Sequence, residues 1–244
     1  MNTIQTCYSP ALFPLFKEEN AIVVVVDVLR ATSAICTAIH HGVDKMIPVA
    51  GLDDARKYKA EGYLVAAERN AIKQDGFDFG NSPYHYIDED LGGKTIVIST
   101  TNGTQAIEAA KDSSTILIGS FLNISAIANW ILQQERNVIV LCAGWKNKFN
   151  LEDSIFAGAL SLKLIQSGKF NTVCDSTIAA GYLYERANND LYGFLEYSSH
   201  RNRLKDLQLE NDIRYCLTED QMETIPVYLD GGLVHMSKFE VVNP

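Results

Sequence analysis

Short runs rich in Val and Ile alternate along the chain with stretches of helical pattern. Residues 21–27, 45–50, 63–67, 94–99, 114–119 and 136–142 read as strands, and 31–41, 52–61, 102–111, 122–134 and 152–167 as the helices between them. This alternation predicts an α/β fold: a largely parallel or mixed sheet flanked by helices in a three-layer α/β/α arrangement. The C-terminal third changes character and is helix-rich. Residues 176–217 are polar and helix-like, and "IPVYLDGGLVHM" reads as a hairpin turning at Asp230-Gly231-Gly232. No repeat, low-complexity tract or Pro/Gly-rich linker interrupts the chain. We therefore expect one domain over 1–244, with any division into two lobes falling near 145–175.

Composition narrows the class. With 244 residues and 47% hydrophobic content, the chain can bury a substantial core. Its longest apolar run is broken by Asp27 and Arg30 and is far too short to cross a bilayer, and "MNTIQTCYSPALF" lacks the basic start and apolar centre of a signal peptide. No membrane association is expected, and the expected compartment is the cytoplasm. The five cysteines, at 7, 36, 142, 174 and 216, are odd in number and never spaced as CxxC, which suggests small buried hydrophobes rather than disulfides or zinc ligands. A net charge of −9 argues against a nucleic-acid partner. An anionic ligand would have to be attracted locally, by basic loop residues or through a bridging divalent cation.

In open α/β sheets, ligands bind beyond the carboxyl ends of the strands, where loops lead into helix N-termini. Four segments put polar chemistry at such points. In "AIVVVVDVLRATS", four valines run into Asp27, with Arg30 and Thr32-Ser33 just beyond. "AAERNAIKQDGFDFGNSP", 66–83, reads as a long loop carrying Glu68, Arg69, Lys73, Asp75, Asp78 and Asn81. "STTNGT", 99–104, puts hydroxyls and Gly103 between a strand and a helix, and "CAGWKNKFNLEDS", 142–154, ends in Glu152-Asp153 at a helix start. Each has an ordinary structural reading: Asp27 as a cap, the Thr-Asn-Gly run as turn chemistry, Glu152-Asp153 as partners of a helix dipole. Convergence on one sheet edge favours a shared site. Carboxylates with hydroxyl donors and an arginine describe a divalent cation beside an anion.

That combination suits a phosphomonoester, whose hydrolysis develops charge on the attacking and leaving oxygens. Magnesium held by two or three carboxylates would neutralise that charge, with Asp27 on the metal, Arg30 forked onto the phosphate, and the hydroxyls and main-chain N–H groups of "TTNGT" on phosphoryl oxygens. Several known signatures are missing. There is no GxxxxGK[ST], no GxGxxG after a strand, no Cys with Arg six positions later, and no paired DxD at the strand-end aspartate.

The segments "VVVDVLRATSAICTAI", "AERNAIKQDGFDFGNSP", "STTNGTQAI", "LCAGWKNKFNLEDSIFAGAL" and "SSHRNRLKDLQLENDIRYC...IPVY" resemble, in that order, the 2-phosphosulfolactate phosphatase family. The resemblance implies a magnesium-dependent hydrolase that converts (R)-2-phospho-3-sulfolactate to 3-sulfolactate, a step of coenzyme M biosynthesis, with related phosphorylated 2-hydroxy acids as further substrates. The family's DVLRAT falls on Asp27 to Thr32, its TTNGT on Thr100 to Thr104, and its LED on Leu151 to Asp153. Where members often read ERGG, this chain has Glu68-Arg69-Asn70-Ala71, and losing both glycines restricts the backbone there.

Taken together, catalysis is expected of Asp27, Arg30, Glu68 and Asp153, and substrate binding of Arg30, Thr32, Arg69, Thr100, Thr101, Asn102, Gly103 and Thr104. Magnesium is expected on Asp27, Glu68, Glu152 and Asp153. The other charges of a sulfonated substrate leave Arg69, Lys73, Lys146, Lys148 and His200-Arg201 as candidate partners. Attack by a metal-bound water is favoured over a phosphoenzyme, because no DxD pair supports the covalent route. The expected partner is a small anionic phosphorylated hydroxy acid, and a homo-oligomer is left open. The competing reading is a non-catalytic sensor or carrier for a small phosphorylated or sulfonated acid.

Overall fold

In the computed structural model, which describes residues 1–87 and 90–242, β2 (Ile22–Val26) is buried at all five positions. It sits between two equally buried parallel strands, β7 (Thr115–Gly119) and β8 (Val138–Cys142), with Val24 facing Leu117 and Val140 in register. A strand covered on both faces has no polar side to show, and an unbroken run of valine is the sequence form of that. Val24 and Val26 join a cluster with Ile127 and Ile131 of α4 (Ile124–Ile131) and Ile155 and Phe156 of α5 (Leu151–Gln166). Val23 and Val25 face the other way, onto Ile35 of α1 (Ala31–His40) and Ile107 of α3 (Gly103–Ala110). Helices thus cover both faces of the sheet.

The remaining strands are β1 (Asn2–Cys7), β3 (Lys45–Pro48), β4 (Leu64–Arg69), β5 (Ile72–Lys73), β6 (Thr95–Ser99), β9 (Phe170–Asn171), β10 (Pro226–Leu229) and β11 (Gly232–His235). The remaining helices are α2 (Leu52–Ala60), α6 (Asp175–Ala187), α7 (Leu191–Phe194), α8 (Ser199–Asp206), α9 (Glu210–Cys216) and α10 (Met236–Val242). One mixed sheet runs in the order β5-β4-β6-β3-β11-β10-β7-β2-β8-β1-β9. It consists of a parallel block β4-β6-β3 and a parallel block β7-β2-β8-β1-β9, joined by the antiparallel hairpin β10-β11.

The hairpin turns at Asp230 and Gly231, with φ of 46° and 76°. Positive φ at both central residues is what the tight hairpin turn with the sheet's own twist demands, and Asp-Gly is a favoured pair for it. Three strands, β1, β5 and the two-residue β9, are absent from the sequence reading. β1, with polar residues interleaved through Asn2–Cys7, shows no run of apolar residues, and its place is set by pairing with β8. The stretch read as a loop over 66–83 instead contains the end of β4 and all of β5. Among the described residues, no helix is long and apolar enough to cross a membrane.

Candidate active site

Asp27 is the first residue beyond β2, at the carboxyl end of the central strands. The Asp27 N–H donates to Thr32 Oγ1 (3.0 Å), and the Thr32 hydroxyl donates back to the Asp27 carbonyl (2.9 Å), closing the turn into α1. The Leu29–Arg30 peptide within that turn is cis. The Asp27 carboxylate faces a cavity of ≈ 20 Å³ lined by Asp27, Leu29, Arg30, Glu68, Ala71, Asn81, Asn102, Trp145 and His200. A Cβ on Gly103 would stand 2.5 Å from Ala31 Cβ and 3.0 Å from Asp27 Oδ2, so only glycine lets the start of α3 lie against this carboxylate. Burial pushes the Asp27 carboxyl up to about 7; His200 opposes the shift, and Glu68 and Glu152 add to it.

Two acidic residues from the first turn of α5 stand behind Asp27, both fully buried. Asp153 accepts from Val28 N (2.9 Å), Gly144 N (3.0 Å) and Asn150 Nδ2 (2.9 Å), tying the ends of β2 and β8 together. Burial, with the charges of Asp27 and Glu152, nevertheless holds its carboxyl well above the ordinary range. Glu152 accepts from His200 Nδ1 (2.7 Å), Ser198 Oγ (3.2 Å) and Asn150 Nδ2 (3.2 Å). Burial alone would raise the Glu152 carboxyl, but the bonds and charge of His200 and the Ser198 hydroxyl outweigh it and hold the group down as a carboxylate. His200 is thereby fixed at the cavity wall beside Trp145, ring centroids 5.4 Å apart.

Arg30, 3% exposed, is ion-paired through Nη1 with Asp212 of α9, and its Nη2 donates to the Ala71 carbonyl (3.0 Å). Ala71 N in turn donates to Glu68 Oε2 (2.8 Å), and Glu68 Oε1 accepts from Thr101 N (2.7 Å). Glu68 therefore locks together the turns that follow β4 and β6. Asn102 Oδ1 accepts from Lys146 N (3.1 Å), linking a third turn to them.

The structure sorts the residues singled out by sequence. Asp27, Arg30, Glu68 and Asn102 meet at the cavity. Glu152 and Asp153 do not line it; their oxygens accept from N–H and O–H donors behind the cavity wall. Thr32, Thr100 and Thr104 do not line it either. Their hydroxyls are engaged with the local backbone, Thr104 Oγ1 donating to the Thr100 carbonyl while Thr100 Oγ1 accepts from Thr104 N (both 3.1 Å). Thr101 Oγ1 is buried without a partner among the described residues but does not line the cavity. Arg69 bonds to the carbonyl of Glu68 (2.6 Å) and to Ser99 Oγ (3.1 Å), bracing strand ends rather than facing the cavity. Lys73 donates to the Asp78 carbonyl (2.7 Å), Lys146 and Lys148 are exposed, and Arg201 stacks on Tyr192 at 4.3 Å. Trp145 and Asp212 were not singled out. Asp212 lies 182 residues from Arg30, and no local spacing announces that pair.

Five carboxylates, from Asp27, Glu68, Glu152, Asp153 and Asp212, thus crowd around one arginine and one histidine. Among the described residues, no group of three or more His, Cys, Asp or Glu side chains converges on a metal position. Magnesium, however, is commonly held by one or two carboxylates and completes its shell with waters and phosphate oxygens. Asp27 and Glu68, the two carboxylates facing the cavity, are hard oxygen donors that fit it, and the local excess of negative charge calls for a cation before an anion can enter.

A family model described as 2-phosphosulpholactate phosphatase matches residues 7–231. A Thermotoga maritima protein named "Probable 2-phosphosulfolactate phosphatase" is 43% identical over 221 residues, 91% of this chain and 95% of that one. Proteins of the same name from Caldanaerobacter subterraneus and Clostridium acetobutylicum are 38% and 36% identical, covering 91% and 89% of this chain and 92% and 94% of their own.

Proposed function

The chain belongs to the 2-phosphosulpholactate phosphatase family, hydrolases of a phosphomonoester, and from that premise we propose that it hydrolyses a 2-phospho-hydroxy acid with magnesium at the Asp27 cavity. The substrate that fits the family best is (R)-2-phospho-3-sulfolactate. The observation carrying the reading is Asp27 itself: a buried carboxylate at the end of the central strand, raised to about 7, in one cavity with Arg30 and His200. Asp27 and Glu68 would hold the cation, which supplies positive charge to the phosphoryl oxygens when bound.

Arg30 is aimed at the cavity by Asp212 and the Ala71 carbonyl, and it anchors the phosphoryl group. The oxygen of a water forms the new bond to phosphorus as the bond to the ester oxygen breaks, and one water proton passes to the Asp27 carboxylate. His200, held by Glu152 through Nδ1, gives the proton of its other ring nitrogen to the departing alkoxide. Proton return from Asp27 to His200 through solvent resets the site.

Phosphate, carboxylate and sulfonate together carry roughly four negative charges and need further donors. Arg203 lies 3.9 Å over the Trp145 ring with Nη2 buried and without a partner among the described residues, and we assign it to the sulfonate end. The test is phosphate release from a panel of phosphorylated 2-hydroxy acids, with magnesium and with chelator. Magnesium-dependent release is expected, and Arg203→Gln should raise KM about tenfold for the sulfonated substrate but not for phospholactate. Tight binding of every panel member without turnover would make the protein a carrier and overturn the reading.

A further inference from the structure

Asn81 closes the cavity beside Asp27, Arg30 and Glu68, and its carboxamide is idle. The residue is 7% exposed, and Oδ1 is buried with no hydrogen-bond partner among the described residues. A buried amide oxygen left without a donor is destabilising, and native folds keep few of them. A group of this kind inside a reactive cavity points to a partner that arrives with the chemistry.

That partner is a hydrogen-bond donor or a cation. Phosphoryl, carboxylate and sulfonate oxygens are acceptors and cannot satisfy Oδ1, and no Arg30 N–H reaches it, two of the five being held by Asp212 and Ala71. Water can satisfy it, and a cavity of ≈ 20 Å³ holds about one. With one hydrogen directed to Asn81 and the other to Asp27, the oxygen keeps its remaining lone pairs for phosphorus.

We propose that Asn81 is a catalytic residue that orients the attacking water through Oδ1 as the new phosphorus–oxygen bond forms and the bond to the ester oxygen breaks in the hydrolysis described above. The inference rests on the phosphatase reading and adds to it the group that aims the nucleophile.

Steady-state kinetics of full-length, magnesium-loaded Asn81→Ala and Asn81→Leu test it, using a phosphomonoester the wild type turns over. Misaligning a nucleophile costs about 100-fold, so kcat should fall by that order in both variants. KM and the inhibition constant for inorganic phosphate should stay within about threefold. Melting temperature should hold or rise, most in Asn81→Leu, because an unsatisfied buried oxygen is replaced by an apolar group of similar size. Wild-type kcat in both variants would overturn the proposal. Weakened phosphate binding with kcat retained, weakened magnesium binding, or a lowered melting temperature in both would also overturn it, making Asn81 an anion contact, a metal ligand or a structural residue. A wild type that releases no phosphate from any substrate would instead refute the phosphatase reading, and this inference with it.

Discussion

Asn70 and Ala71 carry φ of 55° and 69°, in the left-handed region that glycine enters freely and a β-carbon resists. Family members often place two glycines here, and the expectation from sequence is that losing them restricts the backbone. The backbone has instead kept the glycine conformation: Ala71 donates to Glu68 and accepts from Arg30, and those bonds hold it there. For alanine that conformation costs ~1–2 kcal/mol, partly offset because glycine would loosen the unfolded chain by ~0.4–1 kcal/mol. Ala71→Gly should therefore raise stability by about 0.5–1 kcal/mol, read as a melting temperature higher by about 1–3 °C. A lower melting temperature would show that the strain is relieved by something other than these bonds. At this scale the sequence was half legible. Strand-end position marked Asp27 and Glu68 for the cavity, since only the fold class was needed to put them there. It could not separate Glu152 and Asp153, buried braces, from groups free to bind, because a carboxylate's partners come from Ser198, His200 and Val28, far away in the chain.

The braces ride on α5, and its placement depends on one glycine. A Cβ on Gly158 would stand 2.0 Å from the Ala180 carbonyl oxygen of α6, so the two helices meet there backbone to backbone. Gly181 of α6 is different: its Cβ would meet nothing nearer than Leu162 Cδ2 at 3.6 Å, an ordinary contact. Gly158→Ala should force the helices apart and cost about 1–3 kcal/mol, with activity lost as Glu152 and Asp153 shift. Gly181→Ala should gain up to about 1 kcal/mol from helix propensity alone. Thermal melts of the two variants check the pair, and equal shifts would refute the close approach. Elements themselves were legible where burial is complete: β2, β7 and β8 are unbroken apolar runs because both faces are covered. β1 was not legible, since its polar residues fit a strand only through the neighbour it pairs with.

At the scale of the whole molecule, the hairpin β10-β11 was readable as a hairpin, but its insertion between two parallel blocks was not, because nothing local to Pro226–His235 names β7 or β3 as a neighbour. The same long-range closure brings α8 and α9 over the sheet edge, delivering His200 and Asp212 to a cavity already rich in carboxylates. That charge sets how stability should depend on pH. The Asp27 carboxyl is about 7 when folded and near 3.9 when unfolded, so the folded state keeps a proton that the unfolded state releases. Its contribution is fully present below about pH 4 and is lost as pH rises to about 7, and Asp153 acts in the same sense. Burial of His40 and His85 lowers their values and works the other way, adding stability as pH rises through about 6.5. A raw melting curve therefore mixes both trends. The difference between wild type and Asp27→Asn isolates the carboxylate: without a cation the variant should gain on the wild type steadily from pH 4 to 7 and by a constant amount above. Magnesium should close that gap by raising the wild type alone, since a cation on Asp27 and Glu68 removes the cost of the buried charge. A wild-type melting temperature unmoved by magnesium at pH 8, where the carboxylate is charged, would remove the cation from this cavity.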